Sequence, residues 1–158
     1  MRLYLARHGE AVPGHIDPDS PLTAAGKADV ERVGRLMAEA MAIFKSVKHS
    51  GKTRARQTAE ILAAIAGGKA AVERMDGITP MDPPEPVAAR IETWTEDTLL
   101  VAHLPFVGRL FGLLAAGGDG AGSMAEFAPG SVACLQRMGG GRWSLRWMIS
   151  PELFLRGQ

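Results

Sequence analysis

Short apolar runs alternate with amphipathic segments along most of this chain. Residues 3–6 and Thr98–Ala102 are continuous apolar runs of the length that forms buried strands in a parallel sheet. After Pro21, apolar side chains recur at helical spacing as far as Phe44, which predicts a long helix with Thr23 as its N-cap. This alternation of strand and helix is typical of an α/β protein.

The same patterns predict the remaining elements. Further strands are expected at residues 46–49, 71–75, 132–138 and 143–149. Further helices are expected to open within residues 50–60 and run to residue 67, and to form at residues 86–94 and 105–116. The last two strands are joined by three glycines at 139–141 and are therefore expected to form a hairpin. We predict a three-layer α/β/α sandwich with a mostly parallel central sheet, formed by residues 1–158 as a single domain.

Composition and charge exclude several classes of protein. The formal net charge is +1, from 18 Lys+Arg and 17 Asp+Glu, so the whole chain is not suited to nucleic acid or to an anionic membrane. Cys134 is the only cysteine, which rules out an internal disulfide and a thiolate metal site. The most apolar window, residues 99–116, is interrupted by His103, Pro105 and Arg109 and indicates a buried strand followed by a helix. We expect a cytoplasmic protein.

Two predicted strands end in histidine. Arg7-His8-Gly9 directly follows the first strand, and His103 follows the buried strand Thr98–Ala102. The carboxyl ends of parallel strands form the edge at which open α/β folds bind ligands. One histidine there would more often be a structural polar group, but two at two strand ends favour a functional site.

A third segment adds phosphate-binding chemistry. Arg54 and Arg56, with the hydroxyls of Ser50 and Thr53, lie around a predicted helix N-terminus, where free N–H groups favour an anion and cations are otherwise disfavoured. The planar fork of an arginine binds phosphate oxygens at two points, so Arg7 and Arg54 are candidates to clamp a phosphoryl group. The same cations would lower the pKa of His8 and keep it nucleophilic. No acidic cluster lies near these motifs, so we expect neither a metal ion nor another cofactor.

These residues resemble the histidine phosphatase superfamily, also called phosphoglycerate-mutase-like. The matching motifs are Arg7-His8-Gly9, Pro21-Leu22-Thr23 with Gly26, Ser50 with Arg54, Ala55, Gln57 and Thr58, and His103. Within the superfamily the short length, the His103-Leu104-Pro105 segment and Ser150-Pro151 are most similar to the small bacterial phosphohistidine phosphatases of the SixA type. Gly51 replaces the proline of the family pattern, and we expect this replacement to leave the site intact.

The resemblance implies a fold and a set of roles. It implies a phosphoglycerate-mutase-like fold in which His8 is phosphorylated on nitrogen while Arg7, Arg54 and His103 hold the phosphoryl group. Gly9 and Ser50 are expected to complete the substrate-binding site, without a metal. The general-acid glutamate of larger members has no obvious counterpart. Candidate donors are the loop carboxylates Asp76, Glu10, Asp17 and Asp19, although each is more commonly a solvated loop residue.

Three functions are compatible with these motifs. The first is a phosphatase that acts on protein phosphohistidine, with a phosphorylated protein such as a histidine-phosphotransfer domain as its partner. The second is a small-molecule phosphomonoesterase of the same superfamily; a mutase is disfavoured because the chain has little room for an inserted lid. The third is a catalytically silent phosphate-binding regulatory domain, against which the complete set of site residues argues. We expect an open pocket over His8, bordered by the loops at residues 10–20 and 117–122.

Overall fold

The computed structural model describes residues 1–118 and 124–154, and the strands of this part form one mixed sheet. In chain order they are β1 Arg2–Arg7, β2 Ser46–His49, β3 Ala71–Arg74, β4 Thr98–Ala102, β5 Val132–Arg137 and β6 Trp143–Ile149. Their spatial order is β3-β2-β4-β1-β5-β6. The first four strands run parallel, whereas β5 is antiparallel both to β1 and to β6, with which it forms a hairpin.

Helices cover both faces of the sheet. They are α1 Ala24–Glu39, α2 Thr53–Ala66, α3 Glu85–Glu92 and α4 Phe106–Ala116. Alternate residues of β1 face opposite layers: Tyr4 packs in the core with α1 and α2, whereas Leu3 and Leu5 pack in the core with α3 and α4. This arrangement confirms the predicted three-layer α/β/α sandwich with a mostly parallel sheet.

The register of β1 and β4 places the two strand-end histidines side by side. Arg7 is the partner of Ala102 in this parallel pair, so His8 and His103 both leave the sheet at the same edge. The first turn of α2 lies at that edge too, because β2 pairs in parallel with β4 and α2 begins shortly after β2 ends. The sheet topology therefore brings the first turn of α2 and His103, about 45 and 95 residues from His8 in the chain, to the same edge as His8.

The first helix is shorter than predicted. It ends at Glu39, and Met41 turns the chain with a φ of 52° while the N–H of Ala42 bonds to the carbonyl of Met37. Phe44 is nevertheless buried, from the connection to β2. Its contribution to the apolar pattern thus came from tertiary packing and not from helical spacing.

Other boundaries differ by one or two residues. The strand predicted at 71–75 ends at Arg74, the helix predicted at 86–94 is Glu85–Glu92, and Pro105 is the N-cap of α4, whose first residue is Phe106. Thr23 caps α1 as predicted, because its side chain accepts from the N–H of Gly26 at 2.9 Å. Most of the glycine-rich loop predicted at 117–122 lies outside the described residues. Within residues 1–118 and 124–154, no helix is both long and apolar enough to cross a membrane.

Candidate active site

The backbone of His8, directly after β1, is held by the segments on both sides of it. Its backbone N–H donates to the carbonyl of Ala102 in β4 at 3.1 Å, and its carbonyl accepts from the N–H of Gly130, just before β5, at 2.9 Å. Both backbone groups are therefore satisfied by neighbouring segments. These two hydrogen bonds fix the main chain that carries the imidazole.

The hydrogen bonds of the His8 ring determine its reactive nitrogen. Nδ1 lies 2.8 Å from the carbonyl of Gly9, which can only accept, so Nδ1 carries the proton in the neutral ring. Nε2 keeps its lone pair and accepts from Nε of Arg54 at 3.3 Å. Burial, assisted by the charges of Arg54 and Arg7 and opposed by the Gly9 bond, lowers the pKa of His8 to about 4. The ring is neutral at pH 7, with a lone pair available on Nε2.

Two arginines lie near the His8 ring and act on its pKa. Arg54 belongs to the first turn of α2, and Arg7 is the last residue of β1. One end of the Arg7 guanidinium donates to the carbonyl of Phe127 at 2.7 Å, while its buried Nε has no partner within the described part of the chain. Burial lowers the pKa of both guanidiniums from its high ordinary value. Two cations thus act on the His8 ring, and one of them, Arg54, donates to its unprotonated Nε2.

His103 lies against His8, with ring centroids 4.9 Å apart and planes inclined by 54°. Only 1% of His103 is exposed. Burial, and then the charges of His8, Arg54 and Lys52, lower the pKa of His103 to about 3, so this ring is also neutral at pH 7. Its Nε2 is 2.6 Å from Oγ of Ser50.

Side chains of α2 form hydrogen bonds to the segments on either side of His8 and fix the position of Arg54 relative to His8. Oγ1 of Thr58 accepts from the N–H of Gly9 at 3.0 Å and donates to the carbonyl of Arg54 at 2.8 Å. The side-chain carbonyl of the preceding residue, Gln57, accepts from the N–H of Leu22 at 2.8 Å. Sequence reasoning noted the Gln57-Thr58 pair as part of a motif but missed this positioning role. The only available signal was the position of the pair on the helix that carries Arg54.

The structure separates the other predicted polar residues from this centre or gives them other partners. Arg56 is exposed and lies 3.9 Å from Glu60 on its own helix, so Arg54 is the arginine of the pair that reaches His8. The Glu10 carboxylate is exposed and accepts from the hydroxyl of Thr23 at 2.9 Å. Ser50 contacts His103, as described above.

The three remaining acid candidates, Asp76, Asp17 and Asp19, lie in loops. Asp76 forms an exposed ion pair with Arg74 at 3.2 Å. The Asp17 carboxylate accepts from the backbone N–H of Asp19 at 3.0 Å, within their own loop. Over residues 1–118 and 124–154, no three His, Cys, Asp or Glu side chains are grouped so that they could hold a metal ion.

A family model described as the histidine phosphatase superfamily (branch 1) matches residues 3–83, the segment that contains His8, Arg7 and Arg54. The chain belongs to this superfamily. It is also 32% identical, over 127 residues, to an uncharacterized protein of Picosynechococcus sp.; that match covers 76% of each chain. Membership of the histidine phosphatase superfamily makes this protein a phosphatase in the general sense.

Solved structures show which architecture of the superfamily the chain shares. The protein histidine phosphatase SixA complexed with tungstate superimposes with a TM-score of 0.84 at 24% identity, over 97% of this chain and 99% of that one. A candidate phosphohistidine phosphatase SixA from Agrobacterium tumefaciens superimposes with a TM-score of 0.78 at 25% identity, over 95% of this chain and 97% of that one. Because both chains are covered almost completely, this histidine phosphatase has the SixA-type architecture.

Proposed function

We propose that this protein removes the phosphoryl group from protein phosphohistidine, with a phosphohistidine intermediate on Nε2 of His8. The observation that carries the proposal is the hydrogen bond from Nδ1 of His8 to the carbonyl of Gly9. This bond fixes the tautomer, and burial keeps the ring neutral, so that a nucleophilic lone pair stands beside Arg54.

The proposed reaction has two displacements. In the first, the Nε2 lone pair of His8 forms a bond to phosphorus while the P–N bond of the substrate breaks, and its electron pair stays on the departing imidazole. In the second, water attacks phosphorus, the P–Nε2 bond breaks, and phosphate and a proton leave. Arg7, Arg54 and His103 stabilise the charge on the equatorial oxygens in both steps.

The carboxylates near the site favour a nitrogen leaving group over an alkoxide. Expulsion of an alkoxide requires a proton donor, which typically contributes 10²- to 10⁴-fold. Glu10 is bonded to Thr23 and Asp76 to Arg74, and both carboxylates are exposed. An imidazole leaving group can instead be protonated from water before it departs. These partners support phosphohistidine as the substrate.

Exposed apolar side chains around the catalytic edge support a macromolecular substrate. Ile16, Met81 and Met124 are 68%, 78% and 72% exposed, on the connections after β1, after β3 and before β5. Each connection lies at the edge that contains His8, because β1 and β3 end there and the start of antiparallel β5 pairs with the end of β1. A phosphorylated protein would bury such side chains, whereas a small ester would leave them in water.

The proposal is tested by turnover on a phosphorylated histidine-phosphotransfer domain compared with aryl and alkyl phosphates, with EDTA present. Phosphohistidine is expected to be the best substrate by far, the aryl phosphates to slow as the phenol becomes less acidic, and chelation to change nothing. Replacement of Ile16, Met81 and Met124 by serine should lower kcat/KM for the protein substrate but not for the aryl and alkyl phosphates. The matched control is serine at the exposed Met41 and Ile43, which precede β2 at the opposite edge.

Two results would contradict this assignment. Fast hydrolysis of an alkyl phosphate that is lost in Asp76→Asn or Glu10→Gln would reveal a general acid and favour a small-molecule phosphomonoesterase. Loss of activity with EDTA and its recovery with a divalent cation would show that a metal takes part.

A further inference from the structure

Ser50 occupies a buried position between the β2 strand and the α2 helix. Ser50 is 5% exposed, and its Oγ lies 2.6 Å from Nε2 of His103. This distance is typical of a short, well-formed hydrogen bond. The backbone N–H of Lys52 also approaches Oγ of Ser50, at 3.4 Å.

The partners of Ser50 determine which atom donates in this bond. A hydroxyl has one proton and two lone pairs, and the N–H of Lys52 can only donate, so it takes up one lone pair. The remaining partner of Oγ in the described part of the chain is Nε2 of His103. A buried hydroxyl proton is costly to leave without an acceptor. The hydroxyl of Ser50 therefore donates to Nε2, which must be unprotonated.

We propose that Ser50 is a positioning residue that locks His103 in the tautomer protonated on Nδ1 and so supplies an N–H donor for the phosphoryl group. A second observation supports this: Nδ1 of the 99% buried His103 has no hydrogen-bond partner within residues 1–118 and 124–154. A buried N–H of this kind is suited to a phosphoryl oxygen on the adjacent His8, whose ring centroid is 4.9 Å away. The catalytic part of this inference rests on the proposed function.

Loss of the hydroxyl would allow the wrong tautomer. Without Ser50, the proton of His103 can move to Nε2, and Nδ1 would then present a lone pair to an anionic oxygen. The lone pair on Nδ1 would then repel the phosphoryl oxygen in the transition state, where an N–H donor would stabilise it most. Loss of one preorganised donor to a developing anion typically costs 10²- to 10³-fold in rate, and loss of a group that orients a ligand costs 10- to 100-fold.

The direct test is the ring ¹⁵N NMR spectrum of His103 at pH 7 in the wild-type protein and in Ser50→Ala and Ser50→Thr. The wild type should show a protonated Nδ1 and an unprotonated, hydrogen-bond-accepting Nε2. Ser50→Ala should shift the signals toward the Nε2-protonated form, and Ser50→Thr should restore the wild-type pattern because it retains the hydroxyl. A wild-type spectrum with protonated Nε2 overturns the proposal, and this test does not depend on the folding of any variant.

Kinetics give the second measurement. Ser50→Ala should lower kcat by roughly 10- to 100-fold with a smaller effect on KM, and Ser50→Thr should recover most of the loss. Ser150→Ala is the control: it removes a buried hydroxyl that lacks a partner among the described residues, and it should retain wild-type kcat. Unchanged kcat in a folded Ser50→Ala protein would refute the proposal.

The outcomes for Ser50 and for the proposed function are separable. The tautomer of His103 is read in the absence of substrate, so it can be confirmed even if phosphohistidine is not the substrate. Conversely, a phosphohistidine phosphatase whose His103 is protonated on Nε2 would sustain the proposed function and refute the role of Ser50.

Discussion

At the scale of single residues, the positive charge of the site and its nucleophilic lone pair lie on different side chains. Arg7 and Arg54 supply the positive charge, and burial keeps His8 and His103 neutral. If the imidazole of His8 took up the proton instead, it would lose the lone pair needed for attack on phosphorus. The arginines are thus expected to hold the phosphoryl group without quenching the nucleophile.

Arg54→Lys tests the contribution of a planar fork. Lysine keeps the positive charge but binds as a point charge, and it cannot place two parallel N–H groups on phosphate oxygens. We expect kcat/KM for the phosphohistidine substrate to fall by about 10²-fold or more, from the loss of charge-assisted hydrogen bonds. Arg56→Lys, on the same helix but exposed, is the control and should behave as the wild type. Equal activity of the two variants would exclude a bidentate role for Arg54.

The sequence predicted which polar residues converge better than it predicted their partners. His8, Arg7, Arg54 and His103 could be expected at one edge because each is the end of a parallel strand or the start of the next helix. Two hydrogen bonds, from Ser50 to His103 and from the N–H of Gly9 to Thr58, depend on side-chain directions that no local sequence pattern encodes. That Ser50 binds substrate stays a prediction; the structure shows its hydroxyl bonded to a residue 53 positions away.

At the scale of elements, the turn between β2 and α2 has a special backbone. Gly51 has a φ of +90°, and its N–H donates to Nδ1 of His49 at 3.1 Å. Proline, the residue of the family pattern at this position, requires a φ near −65° and has no N–H. The replacement of proline by glycine therefore goes with a different turn, not only with a less rigid one.

Gly51→Pro should for this reason be harmful even though it restores the family residue. We expect a loss of about 2–3 kcal/mol in the free energy of unfolding and a lower kcat, because the turn carries Ser50. Gly51→Ala should cost about 1 kcal/mol, since it meets only the positive φ and the nearby Arg74 side chain. Chemical denaturation measures both effects. Gly14→Ala, which has open space around the added carbon, is the control, and a stable, fully active Gly51→Pro would refute this description of the turn.

Element boundaries show where pattern analysis fails. The apolar spacing continued to Phe44, yet α1 ends at Glu39 because Met41 takes a positive φ and reverses the chain. The Thr23 cap was predictable, since a side chain that accepts from the N–H three residues later is a local interaction. The C-terminal end was not, because Phe44 is buried by contacts that are distant in sequence.

At the scale of the whole molecule, the buried histidines link stability to pH. Folding lowers the pKa of His8 to about 4 and that of His103 to about 3, while the unfolded chain titrates near 6.5. Below pH 6.5 the unfolded state binds more protons than the native state, so the free energy of unfolding falls as pH falls toward 4. His103, almost fully buried, should contribute a slope of roughly 1 kcal/mol per pH unit.

Urea denaturation between pH 7 and pH 4.5 measures this linkage. His103→Gln removes the titrating group and should make the dependence on pH shallower than in the wild type, whatever its effect on stability at pH 7. His15→Gln, which changes an exposed histidine, is the control variant. Parallel pH profiles for the wild type and His103→Gln would contradict the lowered pKa.

The central claim is that His8 becomes phosphorylated, and trapping the intermediate tests it most directly. The protein is mixed with a ³²P-labelled phosphohistidine protein, quenched in alkaline detergent and digested, and the labelled peptide is identified. We expect label that is stable in base, labile in acid and located on the peptide with His8. It should be absent from His8→Asn and retained in His15→Asn, which changes a neighbouring exposed histidine. Acid-stable label on a serine, or undiminished label in His8→Asn, would contradict the account.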